Sequence, residues 1–273
     1  MLASCILFIT DHDTLKEELY CNMPELLSYY SSNQIILIIL SALCIGMGKA
    51  GLKGVDGLGV IIMAMAFGTK LSTGIVLPLL CMGDIAAVKF YNRHAQWQYF
   101  WKLAPWIIIG ILAGVYLGKD MDEALFRKIM VFTVIITVVI VLWMEIKASF
   151  YIPESKLFSA STGLVAGFTT MIGNMAGAFA NLYFLAMRVP KNDFIGTTAW
   201  LFLFINLFKL PFQFFVWKNI DTRSFSTDIL VLPILILGFW IGILIVRNIK
   251  EIQYRRLVLL LTLLGAIAML LRK

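Results

Sequence analysis

Residues 46–59 read Gly-Met-Gly-Lys-Ala-Gly-Leu-Lys-Gly-Val-Asp-Gly-Leu-Gly and separate two apolar runs, Ile35–Cys44 and Val60–Phe67. Neither run reaches the length of about 20 residues that a helix needs to cross a bilayer. Glycine lets the backbone turn and lets other groups approach it closely. Irregular backbone at membrane depth is tolerated only where protein or a watery cavity receives its polar groups. This stretch, with its lysines, is therefore where we first expect a substrate to bind.

The composition is that of a membrane protein. Of the 273 residues, 60% are hydrophobic and 14% are charged, whereas about one-quarter of the residues in a soluble domain are charged. The formal net charge is +7, but the basic residues mostly flank apolar segments, as interfacial anchors do. We therefore expect the lipid bilayer as a partner, and no nucleic acid.

The apolar segments form two series of five, which predicts an all-α polytopic membrane protein. The first series is Gln34–Met47, Val55–Phe67, Leu71–Tyr91, Trp101–Leu117 and Leu125–Met144, and the second is Phe158–Ile172, Met175–Met187, Phe194–Trp217, Ile229–Val246 and Ile252–Leu271. The first two segments of each series are short and broken by glycine, so each pair is either two short spans or one re-entrant hairpin. The predicted division is an acidic N-terminal tail (1–33), a first transmembrane repeat (34–147), a linker loop (148–157) and a second repeat (158–273).

The two series match each other at individual residues. An offset of 122 residues superposes Gly51 on Gly173 and Asp84 on Asn206, and an offset of 128 superposes residues 123–128 on 251–256. Each half crosses the membrane five times, or three times if its short pair is a hairpin. Both numbers of crossings are odd, so the second half must enter the membrane inverted. Inverted repeats with broken helices are typical of secondary transporters, which bind substrate between the repeats.

Orientation follows from the basic loops. The loops Lys89–Lys102 and Arg247–Arg256 fall on one side of this scheme, which the positive-inside rule makes cytoplasmic. Both termini are then expected outside. The apolar start Met1–Thr10 lacks a basic n-region, so we do not interpret it as a cleaved signal peptide.

No pattern of an enzyme occurs in the sequence. It lacks HExxH, GxSxG and Walker motifs and any His/carboxylate cluster with metal spacing. The four cysteines show no CxxC spacing, which argues against a metal site or a disulfide framework. We expect no catalytic residue, no metal and no cofactor.

Several motifs carry a family resemblance. They are Gly-Met-Gly-Lys-Ala-Gly (46–51), Leu-Pro-Leu-Leu-Cys-Met-Gly-Asp (77–84), Tyr-Asn-Arg-His-Ala-Gln-Trp (91–97), Gly-Phe-Thr-Thr-Met-Ile-Gly-Asn (167–174) and Lys-Asn-Asp-Phe-Ile-Gly-Thr-Thr-Ala-Trp (191–200). From about residue 35 to the C-terminus the chain resembles the sulfite exporter TauE/SafE family. The resemblance implies a bacterial inner-membrane, multi-pass permease for small sulfur-containing anions such as sulfite, sulfoacetate or other organosulfonates, without a cofactor.

The first break supplies the leading candidates for anion binding. An anion that crosses the membrane needs replacements for its hydration, and backbone N–H groups at broken helix ends and a lysine are suited to this. Lys49, with Gly48 and Gly51 beside it, is predicted to bind the anion; alternatively, Lys49 pairs with Asp56 or extends to an interface. Lys53 is three residues from Asp56, so the two either form an ion pair on one helical face or serve function, Lys53 in binding and Asp56 in proton coupling.

Asp84 and Asn206 occupy matching positions in the third segment of each half. They are predicted to flank a central site, with Asp84 as the proton acceptor coupled to transport and Asn206 as a binding residue; alternatively, they hydrogen-bond helices together. Lys209 lies one turn after Asn206 and is predicted to supply a second positive charge.

Three polar residues make up the second repeat's counterpart of the lysine-bearing break. Thr169, Thr170 and Asn174 are predicted to donate hydrogen bonds to substrate oxygens, although such residues also cap broken helices. The sequence thus predicts a secondary transporter, an exporter, that moves a small anion by alternating access with proton coupling. A passive anion channel and a non-transporting membrane scaffold or assembly factor remain open alternatives.

Overall fold

The computed structural model describes residues 29–129 and 155–250, residues 132, 135, 136 and 139, and residues 252–254, 256–258 and 260–261. These residues form helices and turns without any strand. The helices are α1 (Ser32–Lys49), α2 (Val55–Phe67), α3 (Thr69–Tyr91), α4 (Trp97–Gly118), α5 (Lys156–Gly173), α6 (Ala176–Ala186), α7 (Lys191–Pro211) and α8 (Thr222–Asn248). Residues 123–129 are also helical, and Phe212–Val216 is a π-helical turn that continues α7.

Within the described ranges, five stretches are long and apolar enough to cross a membrane. They are Ser32–Lys49, Thr69–His94, Trp97–Gly118, Lys191–Val216 and Thr222–Asn248, while α2 and α6 are shorter apolar helices. The prediction of an all-α membrane protein with several spans is confirmed. The predicted segments Leu125–Met144 and Ile252–Leu271, the tail 1–33 and the linker 148–157 lie largely outside the described residues.

The first break is shorter than predicted, because α1 continues helically through Lys49. The predicted segment ended at Met47, two residues before the observed end. Glycine costs a helix interior about 1 kcal/mol relative to alanine, so Gly46 and Gly48 disfavour a helix here. Packing reverses this preference. An ideal Cβ on Gly46 would lie 2.1 Å from the Leu235 carbonyl oxygen, and one on Gly48 would lie 2.4 Å from the Asp56 nitrogen. These two glycines allow close helix contact, and the break is reduced to residues 50–54.

The helices α1 and α2 run antiparallel, side by side. Near their outer ends the Gln34 side-chain amide donates to the Ala66 carbonyl oxygen at 3.2 Å, and deeper in, the Ser41 hydroxyl donates to the Gly59 carbonyl oxygen at 2.8 Å. Both outer ends therefore lie at the same end of the molecule. We call this end face A; it also carries the starts of α3 and α8 and the end of α4.

The helices α5 and α6 form the corresponding pair at the opposite end. The Ser159 hydroxyl donates to the Tyr183 hydroxyl at 3.2 Å, which places the start of α5 beside the end of α6. We call this end face B. It also carries the end of α3, the starts of α4 and α7, and the end of α8, because Lys191 donates to the carbonyl oxygens of Val246 and Ile249 at 3.2 and 2.7 Å.

Each helical pair packs against the long helix of the other half. An ideal Cβ on Gly238 of α8 would lie 2.3 Å from the Leu43 carbonyl oxygen of α1, and one on Gly110 of α4 would lie 2.2 Å from the Leu164 carbonyl oxygen of α5. At these distances a side chain cannot fit, so glycine sets how closely the backbones approach. The largest apolar cluster takes buried residues from each of the helices from α3 through α8. These residues include Leu103, Ile107, Tyr183, Phe194, Ile205 and Phe239.

Glu123 caps the start of α3 at face A. Its carboxylate accepts hydrogen bonds from the Lys70 N–H at 3.1 Å and from the Thr69 hydroxyl and N–H. Burial acts to raise the pKa of Glu123, but these hydrogen bonds outweigh it and hold the pKa below its usual value. The Lys70 ammonium in turn donates to the carbonyl oxygens of Lys119 and Met121 at 3.0 and 2.7 Å, so α3 and α4 are joined here.

Candidate functional site

Lys49 and Asp84 form a buried ion pair in the centre of the molecule. Lys49 is the last residue of α1, and its Nζ lies 2.6 Å from Oδ1 of Asp84 in α3; the two residues are 3% and 0% exposed. Gly83 makes room for the lysine, because an ideal Cβ there would lie 2.9 Å from Lys49 Cγ. The predicted alternative partner, Asp56, is not the one that Lys49 contacts.

The second half of the chain reaches the same carboxylate. Asn206 of α7 donates from Nδ2 to the second oxygen of Asp84, Oδ2, at 2.7 Å. Oδ1 of Asn206 accepts from Lys209 Nζ at 3.5 Å, which agrees with the one-turn spacing predicted for these two residues. Asp84 therefore binds one partner from each half. The hydrogen bond between Asn206 and Asp84 is the predicted alternative, in which the two residues bond their helices together.

Lys209 is held by neutral oxygens of the second break. It is fully buried, and its Nζ donates to the Thr170 hydroxyl at 3.1 Å and to the Asn174 side-chain oxygen. Asn174 ends α5 in the left-handed conformation, with φ 54°, and its Nδ2 donates to the Thr73 carbonyl oxygen at 3.0 Å. Asn174 is thus the C-terminal cap of α5, and the prediction that it donates to a substrate oxygen stays a prediction.

Thr169 does not join this cluster. Its hydroxyl donates to the Val165 carbonyl oxygen at 2.7 Å, one turn back in its own helix. Threonine often bonds in this way inside helices, since its short side chain reaches the preceding turn. The prediction that Thr169 donates to substrate is not supported by the direction of this hydroxyl.

Lys53 is a buried ammonium without a hydrogen-bond partner among the described residues. It is 1% exposed and lies in the break between α1 and α2. Its Nζ is 5.3 Å from the ring centroid of Phe202 in α7, and Lys49 Nζ is 5.2 Å from the same centroid. Aromatic rings attract cations at such distances, but this attraction does not replace hydrogen bonds.

Asp56 does not form the predicted ion pair with Lys53, and its part in proton coupling stays a prediction. It lies in the first turn of α2, whereas Lys53 lies before that helix, so the two do not share a helical face. Oδ1 of Asp56 accepts from the Gly54 N–H at 3.0 Å, and no ion pair joins it to a lysine among the described residues. Asp56 caps the break locally.

The first turns of α2 and α6 approach each other beside Lys53. An ideal Cβ on Gly177, in the first turn of α6, would lie 3.9 Å from Asp56 Oδ2 and 3.8 Å from Asn181 Nδ2. Asn181 is 2% exposed, and its Oδ1 has no hydrogen-bond partner among the described residues. Helix N-termini carry partial positive charge on their free N–H groups and favour an anion, whereas the oxygens of Asn181 and Asp56 are acceptors and do not.

The two predicted glycines shape the break. Gly51 has φ +117°, a conformation that other residues rarely adopt. Its carbonyl oxygen accepts from the Tyr254 hydroxyl, and that of Ala50 accepts from the Tyr91 hydroxyl, both at 2.8 Å. Gly48 brings the end of α1 against Asp56, as described above. These glycines place the lysines, and their own groups are occupied by protein.

Two residues of this region were missed by sequence reasoning. Phe202 precedes Asn206 by one turn, so the spacing of α7 already placed both on one face. Asn181 is a polar residue within an otherwise apolar short helix, which was a usable signal. Among the described residues there is no group of three or more His, Cys, Asp or Glu side chains that could hold a metal ion.

The described cluster carries more positive than negative charge. Three buried lysines (Lys49, Lys53 and Lys209) lie around one fully buried carboxylate, Asp84, with the half-buried Asp56 at its edge. An ammonium that loses water without gaining an anionic partner is strongly destabilised. The arrangement is therefore chemically suited to bind an anion.

Comparison with known proteins identifies the family of the chain. The family model "Sulfite exporter TauE/SafE" matches residues 37–269, which include every helix described above except the first turn of α1. No curated protein and no solved structure matches the chain. The match covers nearly the whole sequence, and the chain belongs to the sulfite exporter TauE/SafE family of membrane transporters for sulfur compounds.

Proposed function

We propose that this protein is a secondary transporter that carries a small sulfur oxyanion or organosulfonate, such as sulfite or sulfoacetate, together with a proton across a bacterial inner membrane. The observation that carries the proposal is Lys53, a buried ammonium whose Nζ has no hydrogen-bond partner in the part of the chain that the structure describes. It lies near Lys49, beside the facing first turns of α2 and α6. A bound anion would supply the missing partner, and the protein would replace the anion's hydration shell.

Lys209 supports a second contact with the same anion. Its partners are all neutral oxygens, those of Thr170, Asn174 and Asn206. Neutral acceptors stabilise an ammonium less than a carboxylate does, so Lys209 is available to an oxyanion. We propose that Lys53 and Lys209 approach the anion from the first and the second break, respectively.

We further propose that the two halves form an inverted repeat that works by alternating access. Support comes from contacts that recur in both halves: Gly46 approaches the carbonyl oxygen of Leu235, and Gly167 approaches that of Ile107. Gly46 and Gly167 are 121 positions apart in the sequence, and Ile107 and Leu235 are 128 positions apart. The helical pairs α1–α2 and α5–α6 are then re-entrant hairpins that enter from opposite faces, which places the two breaks at the centre.

Asp84 is the proposed coupling residue. As a carboxylate it neutralises Lys49, and as a neutral acid it would leave that lysine without an anionic partner. A proton on Asp84 therefore favours an anion beside Lys49, and loss of the proton favours its release. This exchange links proton and anion binding through a single ion pair.

The test is uptake of radiolabelled sulfite and sulfoacetate into proteoliposomes, with and without a proton gradient. Lys53→Met and Lys209→Met remove a charge at nearly constant volume, and Lys89→Met at the exposed end of α3 is the matched control. A lost charge-assisted hydrogen bond is worth about 1.5–3 kcal/mol, so we expect roughly tenfold or greater loss in the first two variants and wild-type uptake in the control.

The alternatives give different outcomes. Flux through the wild type that ignores the proton gradient would indicate a passive anion channel. Absence of flux for every small anion tested would indicate a scaffold or assembly factor, which needs no transport site. Wild-type uptake by both lysine variants would reject the proposed binding site.

A further inference from the structure

We propose that Asp228 of α8 is a second proton-binding carboxyl, which delivers protons from face A to Asp84. The proposal rests on the transport function proposed above, in which Asp84 carries the coupling proton. It adds a residue outside the lysine cluster and a direction from which the proton arrives.

The position of Asp228 is unusual for a carboxyl group. It is 1% exposed, and its Oδ2 has no hydrogen-bond partner. It follows Thr222, the first residue of α8, by six positions, which corresponds to a depth of about 9 Å from face A. A group at this depth is enclosed by protein but is within one or two helical turns of water.

The surroundings of Asp228 supply no cation among the described residues. Its one hydrogen bond comes from the Leu79 N–H of α3, and no ion pair involves it. The titratable group that faces it from α3 is the Cys81 thiol, and from the start of α1 the Tyr30 hydroxyl lies 3.2 Å from the neighbouring Thr227 hydroxyl. Ionising a buried carboxyl without a counter-ion is strongly unfavourable, so Asp228 is stable as the neutral acid.

Helix α3 connects Asp228 to Asp84. The Leu79 N–H that binds Asp228 is five residues before Asp84, a rise of about 7.5 Å along the same helix. Pro78 has no N–H to donate to the preceding turn, so the regular hydrogen-bond ladder of α3 is interrupted beside Asp228. Cys81, between the two acids, is close enough to interact electrostatically with both.

The proposed transfer has two balanced steps. A proton from water at face A binds the Asp228 carboxylate and forms the neutral acid. The acid gives this proton to the Asp84 carboxylate in the same step in which it takes the next proton from face A. Asp228 therefore stays neutral, while Asp84 becomes neutral and releases Lys49.

The decisive variant is Asp228→Asn. An amide oxygen still accepts from the Leu79 N–H, so a purely structural role is preserved, whereas the amide cannot carry the proton. We expect proton-driven accumulation of the radiolabelled anion to fall at least tenfold. Exchange of internal for external anion should stay within about twofold of wild type, since the amide resembles the protonated acid. Asp120→Asn, an exposed aspartate at face A, is the control. Wild-type accumulation by Asp228→Asn would overturn the proposal.

A second measurement does not depend on transport. Infrared difference spectra of the purified protein between acidic and alkaline pH should contain a carboxyl C=O band that Asp228→Asn removes and Asp120→Asn retains. If the wild type transports no anion, the transport proposal fails, yet this band still tests Asp228. A spectrum unchanged by Asp228→Asn would reject the proton site. If that variant does not fold, Asp228→Glu should shift the band, and an unshifted band would reject the site equally.

Discussion

Asp84 uses its two carboxylate oxygens for different halves of the chain. Oδ1 accepts from Lys49 and Oδ2 accepts from Asn206, at 2.6 and 2.7 Å. A change in the charge of Asp84 therefore alters contacts to α1 and to α7 at the same time. This is the property that a coupling residue between two moving halves requires.

The stability of the Lys49–Asp84 pair provides a prediction at the residue scale. Removing one partner of a buried ion pair leaves an uncompensated charge and costs about 3–5 kcal/mol, whereas an apolar replacement of both partners is often neutral. We therefore expect Asp84→Asn to lower the thermal unfolding midpoint in detergent, followed by tryptophan fluorescence. The double variant Lys49→Met/Asp84→Leu should regain most of the stability but not the transport activity.

The contrary result for this pair is equally specific. If Asp84→Asn unfolds at the wild-type temperature, the pair contributes no net ionic stabilisation and Asp84 cannot be coupled through Lys49. If the double variant transports anion at the wild-type rate, neither side chain belongs to the binding or coupling machinery.

At the scale of helices, close backbone contact replaces side-chain packing along two pairs. The pairs are α1 with α8 and α4 with α5, and in each a glycine faces a backbone carbonyl. Small residues allow this approach in membranes, where apolar side chains gain little from leaving lipid. These two contacts tie each hairpin to the opposite half.

Gly238→Ala tests this contact. The new Cβ would lie 2.3 Å from the Leu43 carbonyl oxygen, so α1 and α8 must separate. Overpacking of this kind costs typically 1–3 kcal/mol, and we expect a lower unfolding midpoint. Gly57→Ala in α2 is the control, because an ideal Cβ there meets nothing within 4 Å; alanine should stabilise that helix by up to about 1 kcal/mol. Equal midpoints for the two variants would contradict the packing argument.

At the scale of the whole molecule, the described helices connect two faces with different charge. Face B carries the basic loop Lys89–Lys102 and Arg247 at the end of α8, and both had been assigned to one side from sequence. The positive-inside rule predicts that face B is cytoplasmic and that face A, near Asp228, is the outer face.

Thiol labelling tests this topology. In a protein whose native cysteines are replaced by serine, single cysteines at Ser32 and Thr222 should react with a membrane-impermeant reagent from outside. Cysteines at Gln98 and Asn248 should react only after the membrane is opened. The reason is that α8 crosses the membrane, whereas α1 and α2 return to the face where α1 starts. Labelling of Ser32 and Thr222 positions from opposite sides would contradict the hairpin.

Much of the helical framework was predictable from sequence, because it depends on local properties. Val55–Phe67 was predicted with its observed bounds, and the third segment, Leu71–Tyr91, began two residues late. The first segment was predicted to end at Met47, two residues before the observed end at Lys49, because Gly48 remains helical with the Asp56 backbone packed against it. The intrinsic helix propensities of neighbouring residues cannot predict that contact.

The amino-acid sequence alone determined the membrane class, the order of the helices, the two breaks and the polar residues near them, because run lengths, glycines and charges are local features. Only the tertiary structure decided which of these residues meet. Lys49 binds Asp84 instead of Asp56, Lys209 binds Asn174, the Thr169 hydroxyl donates back to its own helix, and Lys53 has no hydrogen-bond partner among the described residues. The physical reason is that partners as distant in sequence as Asp84 and Asn206, which are 122 residues apart, are selected by how helices cross and by which buried charges are compensated. Neither is encoded in a local pattern.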